Sequence, residues 1–124
     1  MDRVRDVMHR GVVTCTPDTP AVKVAGMMAA HRIHAVVVVA AGDVPRLVTD
    51  SDIASALYTE GLDSLRARDI AGSAPLVRLS DTVDDALARM HETASTHAVA
   101  VDRLYRPLGV ISVLDLVEAA SSRA

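Results

Sequence analysis

Apolar and polar positions run through the chain in one order twice. A β-rich run at 12–16 precedes a helical stripe of Ala21, Val24, Ala25 and Met28, and apolar runs at 35–39 and 46–49 follow. The second pass has a weaker run at 76–79, a stripe of Val83, Ala86, Leu87, Met90 and Ala94, and runs at 98–101 and 108–112. Spacing of 3.6 residues predicts amphipathic helices, and short apolar runs bounded by Gly, Pro and Asp predict buried strands. Thr19 before Pro20 predicts a capped helix start, and Thr82 with Asp85 predicts a capping box at the same place. Each pass therefore reads strand, helix, two strands, helix.

A shift of 63 residues superimposes the two passes without a gap. Arg5-Asp6-Val7 falls on Arg68-Asp69-Ile70, Asp18-Thr19 on Asp81-Thr82, Met27 on Met90, and His34-Ala35-Val36 on His97-Ala98-Val99. Thr49 and Asp52 fall on Ser112 and Asp115. The polar, Gly-containing stretch at 59–64 marks the joint, so the repeats are expected at 1–61 and 62–124. A three-stranded sheet with helices on one face leaves its other face bare, which predicts two units packed sheet to sheet.

The sequence has 124 residues, enough for a core without disulfides, and 50% are hydrophobic. Phe and Trp are absent and the only tyrosines are Tyr58 and Tyr105, so aliphatic side chains must fill the core and wall any planar ligand. A net charge of −3 provides no basic footprint for nucleic acid. The single cysteine, Cys15, allows no internal disulfide and fits a reducing, cytoplasmic setting. The most apolar run, 35–41, is far shorter than the roughly 20 residues that cross a bilayer, and Met1-Asp2-Arg3 opens no signal peptide. No membrane association is expected.

The second helix of each repeat begins with a hydroxyl residue, two spacers and an aspartate: Thr49 with Asp52, and Ser112 with Asp115. A capping box alone accounts for this pattern. In Gly109-Val110-Ile111-Ser112-x-x-Asp115 a buried strand delivers that helix start, whose free amides are expected to suit an anion. Arg46 stands where the second repeat has Gly109.

A duplicated β-α-β-β-α unit ending in Gly-x-x-Ser/Thr-x-x-Asp resembles the tandem CBS (cystathionine-beta-synthase-type) domain pair, over nearly the whole chain. The resemblance implies an α/β (α+β) fold of two pseudo-symmetric repeats and clefts between them for an adenosyl ligand: AMP, ADP, ATP or S-adenosylmethionine. It implies that Asp52 or Asp115 accepts hydrogen bonds from ribose hydroxyls and that Thr49 or Ser112 lies by ribose or phosphate. Thr14, Cys15, Thr16, Ala35, Val77, Arg78 and Ala98 become candidate walls for the base, and His34 and His97 candidate phosphate partners. Arg46 either blocks close approach or pairs with phosphate, which makes Gly109, Ser112 and Asp115 the favoured set. With no aromatic to stack on the base, micromolar or weaker binding is expected, which still corresponds to about 8 kcal/mol.

No carboxylate dyad, nucleophile with a base, or phosphate loop points to an enzyme. The expected role is a regulatory sensor of an adenine nucleotide that passes a change of shape to an unidentified protein. The alternatives are a dimerisation or interaction scaffold with decayed clefts, and a metal sensor using His31, His34 and His97. His31 and His34 at a helix end, and His91 on a solvated face, also have ordinary roles. The small apolar stripe at 25–30 makes a homodimer the expected assembly.

Overall fold

The computed structural model describes residues 2–122. Its helices are α1 (Val4–Val7), α2 (Ala21–His31), α3 (Asp50–Thr59), α4 (Ala67–Ile70), α5 (Val83–Glu92) and α6 (Val113–Ser121). Its strands are β1 (His9–Arg10), β2 (Thr14–Cys15), β3 (Ala35–Val38), β4 (Arg46–Thr49), β5 (Gly72–Ser73), β6 (Leu76–Val77), β7 (His97–Val101) and β8 (Pro107–Ser112). The chain divides into two compact units, Val13–Ser73 and Met1–Val12 with Ala74–Ala124. The segment that opens each repeat thus completes the unit built by the other.

In the unit Val13–Ser73 the sheet order is β2-β3-β4-β5, with β2 parallel to β3 and the other pairs antiparallel. The other unit has the matching order β6-β7-β8-β1. Each sheet has four strands where the apolar pattern predicted three. The added strands, β5 and β1, are two residues long, too short for an alternating pattern to register.

Each unit has its own core. Val24 and Met28 of α2, Val36 and Val38 of β3, Val48 of β4 and Ile53 of α3 pack together in one. Met90 of α5, Ala98 and Ala100 of β7, Ile111 of β8 and Leu116 of α6 form the other, with Val4 of α1 added. Alternate residues of a strand face opposite sides of its sheet, so Val36 and Val38 meet the helices together. The stripe at 25–30 divides: Met28 is core, Ala25 and Met27 pack against it, and Gly26, Ala29 and Ala30 are exposed.

Three helix starts follow the expected chemistry, since Thr49, Thr82 and Ser112 each accept from the amide three residues on. Thr19 does not cap α2. Its hydroxyl accepts from the Thr16 amide at 3.1 Å and closes the preceding turn, while Pro20 occupies the cap position without a side-chain bond. Ala94, expected on the α5 stripe, lies beyond the helix, exposed and with φ of 51°.

The β7–β8 hairpin is held at its turn by Asp102. Oδ1 accepts from the amides of Leu104 at 2.8 Å and Arg106 at 2.9 Å, and Oδ2 from Arg106 Nε at 2.7 Å. Beside it the Arg78 guanidinium donates to the Asp102 carbonyl and stands 4.9 Å from the Tyr105 ring centre. The Arg106 amide first, then its guanidinium and the Leu104 amide, hold the Asp102 carboxyl below the usual carboxylate range, against an upward push from partial burial. A lowered folded pKa stabilises at neutral pH, and that stabilisation disappears as pH falls through the folded value. Carboxyl NMR titration should place the Asp102 midpoint below that of an unperturbed aspartate. Asp102→Asn should flatten the acid limb of the stability profile.

Close approach of β1 to β8 depends on Gly109, because a Cβ there would stand 2.5 Å from the His9 carbonyl oxygen and 3.0 Å from the Met8 sulfur. Gly72 of β5 has nothing within 4 Å of such a position. Gly109→Val should therefore destabilise by about 1–3 kcal/mol in urea unfolding. Gly72→Ala should be nearly neutral.

Candidate functional site: two strand-to-helix junctions

Both motif aspartates sit at the third position of a helix that starts where a strand ends. At the end of β4, the amide and hydroxyl of Thr49 donate to Asp52 Oδ2 at 2.8 and 3.0 Å, and the Asp52 amide donates to Thr49 Oγ1 at 3.3 Å. At the end of β8, the Ser112 amide donates to Asp115 Oδ2 at 2.8 Å and the Asp115 amide donates to Ser112 Oγ at 3.1 Å. In each junction one carboxylate oxygen is fixed by the cap.

The second oxygen distinguishes the junctions. Asp52 Oδ1 has no hydrogen-bond partner among the described residues. Asp115 Oδ1 lies 3.0 Å from His9 Nε2, and the Asp115 side chain is 13% exposed. An ionised carboxylate only accepts, which places the bonding hydrogen on Nε2. Sequence reasoning missed His9, since it stands 106 residues from Asp115 on a strand too short to predict.

The helix-end amides expected to be free are largely taken. In α3 the Asp50 amide donates to the His34 carbonyl, the Ser51 amide to Asp50 Oδ1 and the Asp52 amide to Thr49 Oγ1. In α6 the Val113 amide donates to the Thr96 carbonyl and the Asp115 amide to Ser112. Each helix begins against the turn leading into its neighbouring strand, whose carbonyl satisfies the first orphan donor. The junctions consequently offer carboxylate acceptors far more than amide donors.

The other candidate residues separate. Val77 and Ala98 are core side chains, 1% and 0% exposed, so they present no side-chain wall to a ligand. Thr14 and Thr16 are exposed on either side of buried Cys15, and Ala35 is half-buried at the start of β3. Burial pushes the Cys15 thiol up, opposed by the Thr19 hydroxyl, which leaves it a poor nucleophile. His34 Nδ1 is 3.0 Å from Asp50 Oδ2, and His97 Nδ1 is 2.9 Å from Thr96 Oγ1. Among the described residues, no three His, Cys, Asp or Glu side chains gather to hold a metal ion.

Arg46 neither covers Asp52 nor extends toward it. It opens β4, three residues and about 10 Å along the strand from Thr49. Its Nη2 donates to the Ala71 carbonyl at 3.0 Å. There it lines a pocket of about 200 Å³ with Pro17, Val38, Asp43 and Arg68, too small for a nucleotide, since ligand pockets run from about 300 Å³ upward. Arg68 itself is paired with Asp18.

The CBS domain sequence profile matches this chain twice, at residues 4–59 and 67–122. The chain belongs to the CBS domain family. A protein of Methanopyrus kandleri, MK0525, is 28% identical over 120 residues, 93% of this chain and 61% of that one. The chain thus spans about three fifths of the length of this curated relative. The CBS domain pair of protein MJ0100, solved with 5′-methylthioadenosine and S-adenosylmethionine, superimposes with a TM-score of 0.89 at 17% identity, covering 100% of this chain and 99% of that one. PAE2072 of Pyrobaculum aerophilum, solved with AMP, gives 0.84 at 27% identity over 97% and 99%. Among the described residues no helix is long and apolar enough to cross a membrane.

Proposed function

We propose that this CBS pair is a non-catalytic regulatory module that binds an adenosyl ligand through its motif carboxylates. The observation that carries this reading is Asp52, anchored by one oxygen and presenting the other without a partner among the described residues. The ligands of MJ0100 and PAE2072 share adenosine and do not all carry phosphate, as 5′-methylthioadenosine has none. Their shared polar groups are the adenine edge and the ribose diol, and the diol alone offers two neighbouring hydroxyl donors. A fixed carboxylate suits two neighbouring hydroxyls, at about 1.5–3 kcal/mol for each hydrogen bond to a charged acceptor. The occupied helix-end amides support the same emphasis on ribose over phosphate.

As a regulator, the module would signal through a partner protein or its own oligomer. Exposed apolar side chains on its helices, Leu57 and Tyr58 on α3 and Leu114 and Val117 on α6, support self-association into a homodimer in the cytoplasm. Sedimentation velocity should find a dimer that Leu114→Glu weakens by at least about tenfold, or about 1.4 kcal/mol. An unchanged monomer signal for both proteins would remove that part of the proposal.

Thermal unfolding with 5′-methylthioadenosine, AMP, ATP and S-adenosylmethionine tests the ligand reading. A ligand at 100 times its dissociation constant should stabilise by about 2.7 kcal/mol. Asp52→Ala combined with Asp115→Ala should abolish the gain. No gain with any of the four would turn the interpretation to a scaffold with decayed clefts.

A further inference from the structure

The two junctions share a register but differ in what crosses them. His9 pairs with Val110 across β1 and β8, and Gly72 pairs with Leu47 across β5 and β4. The 63-residue shift carries His9 onto Gly72 and Val110 onto Leu47, so Gly72 stands where His9 would be. Beside Asp115 this position bears an imidazole bonded to Oδ1 at 3.0 Å; beside Asp52 it bears no side chain. Gly109 sets the contrast, because only the lack of a side chain there lets the His9 backbone lie against β8.

We propose that His9 is a latch that closes Asp115 to ribose and leaves Asp52 as the motif that fills first. The proposal rests on the adenosyl-binding reading above, and it makes two nearly identical motifs inequivalent through one residue outside both. A ligand at Asp115 must first displace the imidazole, whose own side chain is 80% exposed and can swing into solvent without disturbing the core. At Asp52 no described residue competes in this way. Exposed histidine–carboxylate pairs are weak, so the latch grades occupancy and does not forbid it.

The test uses the whole chain and 5′-methylthioadenosine, whose lack of phosphate keeps His34 and His97 out of the measurement. Calorimetric titration of Asp52→Ala isolates the Asp115 motif, and adding His9→Gly should tighten that binding about threefold. In Asp115→Ala, adding Gly72→His should weaken binding at Asp52 by a similar factor, since the new Cβ meets nothing within 4 Å. Weaker or unchanged binding on His9→Gly would overturn the latch and make His9 a ligand contact or a bystander. Proton–nitrogen NMR supplies a ligand-free check: the His9 Nε2–H proton should be shifted downfield by its bond to Asp115 and should lose that signature in Asp115→Ala. If the signature holds and no protein binds the probe, both the adenosyl reading and the gating fail, while the contact stands. If the probe binds and the signature is absent, the latch alone fails. Circular dichroism of every variant separates lost binding from lost fold.

Discussion

The cap at the strand-to-helix junction is the constraint on which the rest depends. The third residue of the helix must be an acceptor that reaches back to the cap amide, and aspartate does this with one oxygen. Its second oxygen is surplus to folding. A residue that initiates the helix is thereby also a positioned acceptor, held within a turn of a buried strand. The same hydrogen bonds serve stability, at about 1 kcal/mol for a cap, and would preorganise the acceptor for the proposed adenosyl ligand.

Supply of that junction falls to the strands behind it. Val48 and Ile111 anchor β4 and β8 in their cores, and Ile53 and Leu116 anchor the helices that follow. Because each junction is clamped between two buried residues, its carboxylate cannot wander by a helical turn without emptying a core position. The loop carbonyls of His34 and Thr96 then saturate the first helical amides. Among the described residues the acceptor left open is Asp52 Oδ1, which suits hydrogen-bond donors such as hydroxyls.

Much of this was legible in the sequence, because the repeat register supplied a second, independent reading of every element. Thr49 with Asp52, Thr82 with Asp85 and Ser112 with Asp115 were readable as capping boxes, and the structure forms all three. Thr19 was misread because a hydroxyl before Pro20 satisfies two local geometries equally, a helix cap and a turn with Thr16. The fourth strand of each sheet and the contact of His9 with Asp115 were not legible. They depend on two-residue strands and on a partner more than a hundred residues distant, neither of which leaves a local periodicity. The free helix amides were expected from a principle that holds for isolated helices. It yields here to carbonyls brought by neighbouring turns.

The pair of strands beside each junction also explains how a duplicated fold acquires two different junctions. Cross-strand positions Arg10 and Gly109 in one unit correspond to Ser73 and Arg46 in the other. One arginine is present in each pair, but it comes from the opposite strand. Where glycine occupies the long strand, the short strand lies close and its histidine meets the carboxylate. Where arginine occupies the long strand, its side chain turns to the Ala71 carbonyl, and the short strand carries glycine at the position facing the motif. Arg46, which reads at first as damage to a binding motif, thus belongs to the unit whose carboxylate keeps an unengaged oxygen. Motif completeness and a free carboxylate oxygen are separate properties: Gly109 completes the motif and, by admitting β1, also brings in the histidine that bonds Asp115.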